Sequence, residues 1–196
     1  MTAAAGLAAL LRDIRGCRHC AAHLPLGPRP VLRAKASARL LVVGQAPGTK
    51  VHESGIPWND RSGDRLRDWL QLDRDTFYDE SRIAIVPMGF CYPGVDANGG
   101  DLPPRKECAP LWHARVMAHL PRVELILLVG GYAQTHYLGD RRPATMTETV
   151  QAWRNHAPRF VPLPHPSWRN TAWLKRNSWF ETELLPELRS RVRVLL

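Results

Sequence analysis

The chain has 196 residues, 44% of them apolar, which places it within the range of one domain with a real hydrophobic core, so a single unit over residues 1–196 is expected. Its longest apolar runs, "LLVV" and "LILLVGG", fall far short of the roughly 20 residues that cross a bilayer, and the N-terminus lacks a secretory signal's apolar core and cleavage site, so composition points to a soluble cytoplasmic protein and away from membrane partners. Lys and Arg exceed Asp and Glu by 27 to 18, a net +9 carried mostly by arginine, which favours a polyanionic partner such as nucleic acid.

In chain order, Leu7, Leu10, Leu11 and Ile14 carry the spacing of an amphipathic helix over residues 2–16 that delivers Cys17 at its end. A loop rich in Pro and Arg follows. "RLLVV" then runs into the glycine turn "GQAPG", as a buried parallel strand does when it opens onto a loop. "GDRLRDWLQL" reads as a helix and "RIAIVPMGF" as a second strand. "CAPLWHARVMAHLP" is a helix with Leu111, Val116 and Leu120 as expected core contacts, and "VELILLVGG" is a third buried strand. "YAQTHYLG" begins a helix closed by Gly139, "TMTETVQAWRNH" is another, "RFVPLPHPS" is a fourth strand ending in a proline-rich loop, and "WFETELLPELRSRVRVL" is the last helix. Alternating strands and helices build a parallel sheet covered on both faces, hence an α/β fold, a three-layer α/β/α sandwich around a mostly parallel four-stranded sheet. Ligands bind such sheets at the carboxyl ends of the strands, so "GQAPG", "GFCYPG", "LVGGYA" and "LPHPS" should converge on one edge.

The four cysteines are Cys17, Cys20, Cys91 and Cys108. In a cytosolic chain such a set points to metal rather than to disulfides. Cys91 and Cys108 bracket a Pro- and Gly-rich loop able to bring both thiolates to one point; the alternative is an ordinary pair of buried thiols. Cysteine count alone leaves zinc and an iron-sulfur cluster both open. "GQAPG" lacks the Gly-Lys-Ser/Thr end of a Walker loop and the wider spacing of a dinucleotide loop. It is a stiff turn whose N–H groups are available to a ligand. His165, at a strand end in "HPS", is placed to donate a hydrogen bond to a carbonyl that gains negative charge.

A Cys-x-x-Cys near the start, a strand ending in Gly-x-Ala-Pro-Gly, a later cysteine pair and a His-Pro-Ser loop together resemble the uracil-DNA glycosylase superfamily, in particular its iron-sulfur family 4, over nearly the whole chain to about residue 185. The resemblance implies a monomeric enzyme that hydrolyses the N-glycosidic bond of uracil, with other deaminated bases possible substrates, in DNA, releasing free base and leaving an abasic site. It implies a structural 4Fe-4S cluster on the four cysteines, zinc being the alternative. Two other readings are a protein of the same fold that binds uracil-containing or damaged DNA without cutting it, and a metal-stapled structural module. Cleavage leaves a base anion and a sugar with oxocarbenium character, so the site must stabilise the one and bring water to the other.

Carried over by resemblance, Gly44, Gln45, Ala46, Pro47 and Gly48 form the loop against the base, with the backbone of Gln45 and Ala46 in contact. Trp58 stacks on the flipped uracil, core packing being its alternative. His165 meets the uracil O2, while Pro166 and Ser167 shape the loop that presses on DNA. Phosphate contacts fall to Arg61, Arg65, Arg169, Lys175 and Arg176, and Trp168 fills the gap left by the extruded base.

The sequence also departs from the family. Where family 4 keeps a Glu in the first motif and an acidic pair after it, this chain has Gln45, Val51 and His52. The candidates for activating water are then Asp60, near where a sister iron-sulfur family keeps its catalytic Asp, followed by Glu53 and His52. Asp60 equally suits the N-cap of a helix that begins near Ser62. Where the family usually has a uracil-reading Asn this chain has Pro87, so base selection is either altered or rests on main-chain groups near Met88 and Gly89. No Arg-rich, His-containing insertion of the kind that forms a covalent DNA bond follows "GGYAQ".

Overall fold

The computed structural model describes residues 3–196. Thr2, where the first helix was expected to begin, lies outside the described residues. Four strands form one sheet: β1 (Leu40–Val43), β2 (Ile83–Ile85), β3 (Leu125–Val129) and β4 (Phe160–Leu163). Their order is β2-β1-β3-β4 and every pairing is parallel, with Leu40 opposite both Ile83 and Leu125. Almost every strand residue is buried, which is why these strands read as unbroken apolar runs rather than alternating ones. Pro162 is tolerated because β4 is an edge strand. At the other edge, Arg33 exchanges two backbone hydrogen bonds with Ile85, so the extended segment before β1 covers the open side of β2.

The two faces of the sheet build two cores. Leu41 and Val43 face α1 (Ala3–Arg15), α5 (Cys108–Ala118) and α6 (Gly131–Leu138). Leu40 and Val42 face α3 (Arg61–Leu70) and α9 (Leu185–Leu195), with Phe77, Val150, Trp173 and Phe180 filling the layer. The result is the expected three-layer α/β/α sandwich. On α5 the buried stripe is Ala109, Trp112, His113 and Val116, while Leu111 is 38% exposed and not the core contact expected of it.

Three short helices had no counterpart in the sequence pattern: α2 (Thr49–Ser54), α4 (Arg74–Tyr78) and α8 (Thr171–Arg176). α7 (Met146–Gln151) starts with a capping box between Thr145 and Glu148. The last helix is entered through a wider π-turn over Phe180–Leu184, where Pro186 has no N–H to offer the Thr182 carbonyl. Among the described residues no helix is long and apolar enough to cross a membrane.

Parallel strands bring their carboxyl ends to one edge. Met88 and Gly89, after β2, donate to the carbonyls of Gly44 and Gln45, after β1, at 2.9 Å each. Gly130, after β3, donates to Leu163 in β4, and its Cα lies close enough to His165 that an added Cβ would stand 3.6 Å from the histidine Cβ. The four loops therefore meet, as the strand-end rule requires.

Candidate active site

A cavity of about 440 Å³ opens where these loops meet, lined by the whole of Gly44–Gly48 and by Trp58, Asp60, Pro87, Asp101 and His165, with Ser167, Trp168 and Arg169 at its side. His165 leaves the end of β4. Its Nδ1 accepts the Ser167 N–H at 3.2 Å, so the neutral ring carries its hydrogen on Nε2, and the Asn170 amide holds the His165 carbonyl at 2.7 Å. Burial lowers the His165 pKa, Asp60 opposes that shift and the Arg169 charge adds to it. The ring is thus a neutral donor near pH 7, suited to an oxygen that is becoming negative.

Across the cavity, the carbonyls of Gly44 and Gln45 are taken by the β2 loop, but among the described residues the N–H groups of Gln45 and Ala46 donate to no protein acceptor. Backbone donors left unpaired beside a cavity are groups for a ligand or water. The Gln45 side chain is engaged elsewhere, donating to Leu102 O at 3.2 Å. Trp58 lies with its ring centroid 5.6 Å from that of His165, and packs so tightly on Gly44 that a Cβ there would approach Cζ2 to 2.7 Å.

Asp60 does two things at once. Its Oδ1 accepts the Gly63 N–H at 2.8 Å as the N-cap of α3, and the residue also lines the cavity within electrostatic reach of His165. Asp101 was missed in the sequence. It sits at the rim, both carboxylate oxygens 3.9 Å from where a Gly48 Cβ would be, and its pKa is raised by burial and by Asp60, against the pull of Arg169. The signal that leads there is the turn "DANGG": Asp96 accepts the N–H groups of Asn98 and Gly100 at 2.8 Å each, folding the loop so that Asp101 bridges back to Val95. Asn170 and Ser62, the latter expected only near a helix start, also line the cavity.

Other expected residues fall away from the cavity. His52 is buried against Tyr92, and Glu53 is exposed; Arg29 holds the carbonyls of both, and neither lines the cavity, because α2 turns them outward and leaves Val51 facing in. Met88 and Gly89 do not line it either. Their N–H groups are committed to Gly44 and Gln45, and the Pro87 carbonyl accepts from His113 Nε2 at 2.9 Å, so this loop gives the cavity an apolar wall at Pro87 in place of the expected main-chain groups. Pro166 likewise lies off the lining, whereas Ser167 is on it.

Of the expected DNA contacts, Trp168 is 75% exposed beside the mouth. Arg169 reaches over to Gly99 O at 3.3 Å, and Arg65 donates to Ser167 O at 3.0 Å, so Arg65 braces the histidine loop. Arg61, at the start of α3, and Lys175 and Arg176, at the end of α8, are exposed.

Cys17, Cys20, Cys91 and Cys108 line a second, separate cavity. Burial pushes Cys91 up to about 11 and Cys108 up to about 12, and each feels its neighbours' thiolates as further upward pressure, so the four are electrostatic neighbours. Among the described residues no three His, Cys, Asp or Glu side chains gather closely enough to hold one metal ion.

The family model described as the uracil DNA glycosylase superfamily matches residues 33–189.

Proposed function

The chain belongs to the uracil DNA glycosylase superfamily, and from that premise we propose that it excises uracil from DNA by hydrolysis, leaving an abasic site. The observation that carries this reading is the opposition of two kinds of donor across one cavity: the Nε2–H of a neutral His165 and the unpaired N–H groups of Gln45 and Ala46. Both stabilise charge that appears on the base only as the glycosidic bond breaks, so both act on the transition state more than on the bound substrate. Trp58 supplies an aromatic face for the extruded base, and the exposed Trp168 the apolar body that takes its place in the stack. Asp60 keeps one oxygen on Gly63 and has the other for a water that attacks C1′, the negative charge also favouring the developing oxocarbenium ion. Lys175 and Arg176 add phosphate contacts.

Among superfamily types the cysteine set is nearest to family 4. Four thiols on one cavity are a donor set for a 4Fe-4S cluster held by Cys17, Cys20, Cys91 and Cys108. Zinc on the same four thiols is the alternative. Such a cluster would tie the end of α1 to the loop after β2, apart from the glycosidic chemistry.

Duplexes with one uracil opposite G or A, and others with hypoxanthine or xanthine, treated with the protein and then alkali, test the activity: strand breaks at uracil with free base released are expected. A gel shift of uracil-containing duplex without base release supports instead a binding protein, the reading in which Asp60 only caps α3. Broad visible absorption of the purified protein, lost in Cys91→Ser and Cys108→Ser, is expected for the cluster; a colourless protein that retains zinc overturns it.

A further inference from the structure

Trp58 holds φ at 58°, in the left-handed region that bulky side chains seldom occupy. The carbonyls on either side of this bend are tied from behind. The Tyr78 hydroxyl donates to Pro57 O at 2.9 Å, and Arg67 Nη1 donates to Trp58 O at 3.3 Å. The same Nη1 reaches the Tyr78 oxygen at 3.3 Å, while Nη2 pairs with Asp64 at 2.5 Å. Arg74 stands over the Tyr78 ring at 5.1 Å and holds Asn59 Oδ1 at 2.7 Å, so the residue after the tryptophan is fixed as well. Neither Arg67 nor Tyr78 lines the cavity.

The expense of this arrangement argues for a purpose. Arg67 is 7% exposed, and a buried guanidinium is tolerated only when its donors are used; here two of its contacts serve the Trp58 carbonyl and the hydroxyl that holds Pro57. Gly63 presses from the other side, where a Cβ would stand 1.7 Å from Trp58 O. Ordinary core packing of a tryptophan requires none of this. A strained residue over-determined by its surroundings is the pattern found where geometry matters to function.

We infer that Arg67 and Tyr78 form a clamp that sets the plane of the Trp58 ring, making both of them positioning residues for stacking on an extruded base. The inference rests on the reading of Trp58 as the stacking residue. Tyr78 must keep its proton to donate, and burial raises its pKa, in keeping with that duty across the neutral range.

Tyr78→Phe removes the hydroxyl with almost no change of volume, and so tests the clamp without the risk of unfolding that loss of the buried Arg67 carries. It is made in the wild type and in Trp58→Ala. The readouts are kcat/KM for uracil release from a duplex with one uracil opposite G, Kd for the same duplex, and Tm. In the wild type about a tenfold loss in kcat/KM or Kd is expected for one hydrogen bond to a critical carbonyl. In Trp58→Ala the same change should cost nothing more, because the positioned group is gone. Equal losses in both backgrounds, or none in the wild type while Trp58→Ala is impaired, overturns the clamp and leaves the stacking role standing. A Trp58→Ala protein with undiminished release and affinity removes the stacking role itself, and the clamp with it. Kd keeps the test decisive if the protein binds without cutting.

Discussion

Asp60 can be divided into its two duties by a pair of substitutions. Its Oδ1 accepts the Gly63 N–H at 2.8 Å, the geometry of a helix N-cap, and it also lines the cavity beside His165. Asn caps helices as well as Asp does, whereas Ala loses about 1 kcal/mol, which for a chain of this size lowers Tm by about 2–4 °C. Asp60→Asn therefore keeps the cap and removes the charge, and Asp60→Ala removes both. A positioned carboxylate that activates water contributes about 10²- to 10⁴-fold in rate. Tm by calorimetry and kcat/KM for uracil release should then separate: Asp60→Asn with Tm within about 1 °C of wild type and kcat/KM down by that factor, Asp60→Ala equally inactive and measurably less stable. Asp60→Asn with kcat/KM within about threefold of wild type would refute the reasoning, since the loss expected of a general base is far larger. Asp101→Asn is the control, for if it abolishes excision while Asp60→Asn does not, the water belongs to Asp101.

Three other outcomes follow from the structure. His113 is buried with its pKa lowered to about 4, chiefly by desolvation, while the unfolded chain takes up that proton near the ordinary value. Native stability should therefore be intact above about pH 6.5 and fall as the pH drops toward 4, by roughly 3 kcal/mol in urea titrations, with a flatter slope in His113→Gln. Gly63→Ala puts a Cβ 1.7 Å from Trp58 O and should destabilise by about 3 kcal/mol, seen as a lower urea midpoint. Lys175→Ala should weaken DNA binding evenly across sequences and reduce the slope of log K against log salt by about 1; an unchanged slope would place Lys175 off the DNA.

The strands were legible because a strand buried on both faces is a short unbroken apolar run, and "LLVV" and "LILLV" are such runs. Placing the loops followed from topology. α2, α4 and α8 left no trace because helices of five or six residues show no period and are stabilised by tertiary contacts. That omission carried into the site. Read as loop, His52 and Glu53 seemed free to reach the cavity; wound into α2, they are turned away by the helix's fixed rotation. On α5 the phase was misjudged because Ala109, Leu111 and Trp112 offer two apolar faces within one turn, and Trp112 takes the buried one. Asp101 was missed for another reason: the turn is written in "DANGG", but that it folds the loop back so that Asp101 stands over Gly48 is a tertiary fact. Which N–H groups are spent and which are free is likewise a tertiary fact, so Met88 and Gly89 could not be told from Gln45 and Ala46 in the sequence.

That last distinction explains how a loop with unpaired donors keeps its shape. Gln45 and Ala46 forgo two backbone hydrogen bonds, and a segment so depleted must be held by its carbonyls. The holding groups, Met88 and Gly89, belong to a four-residue stretch that continues into Phe90, whose N–H donates to Cys108 Sγ at 3.4 Å, and into Cys91. A second tie runs in parallel. Val31, two residues after Arg29, donates its N–H to Phe90 O at 2.7 Å, and the Arg29 guanidinium grips the His52 and Glu53 carbonyls near the end of α2, the helix that follows the loop. Both ends of residues 44–54 are thus anchored to the cysteine cavity. The Gln45 and Ala46 donors thus stand on a backbone whose supports border the cysteine cavity, although no cysteine lines the active-site cavity.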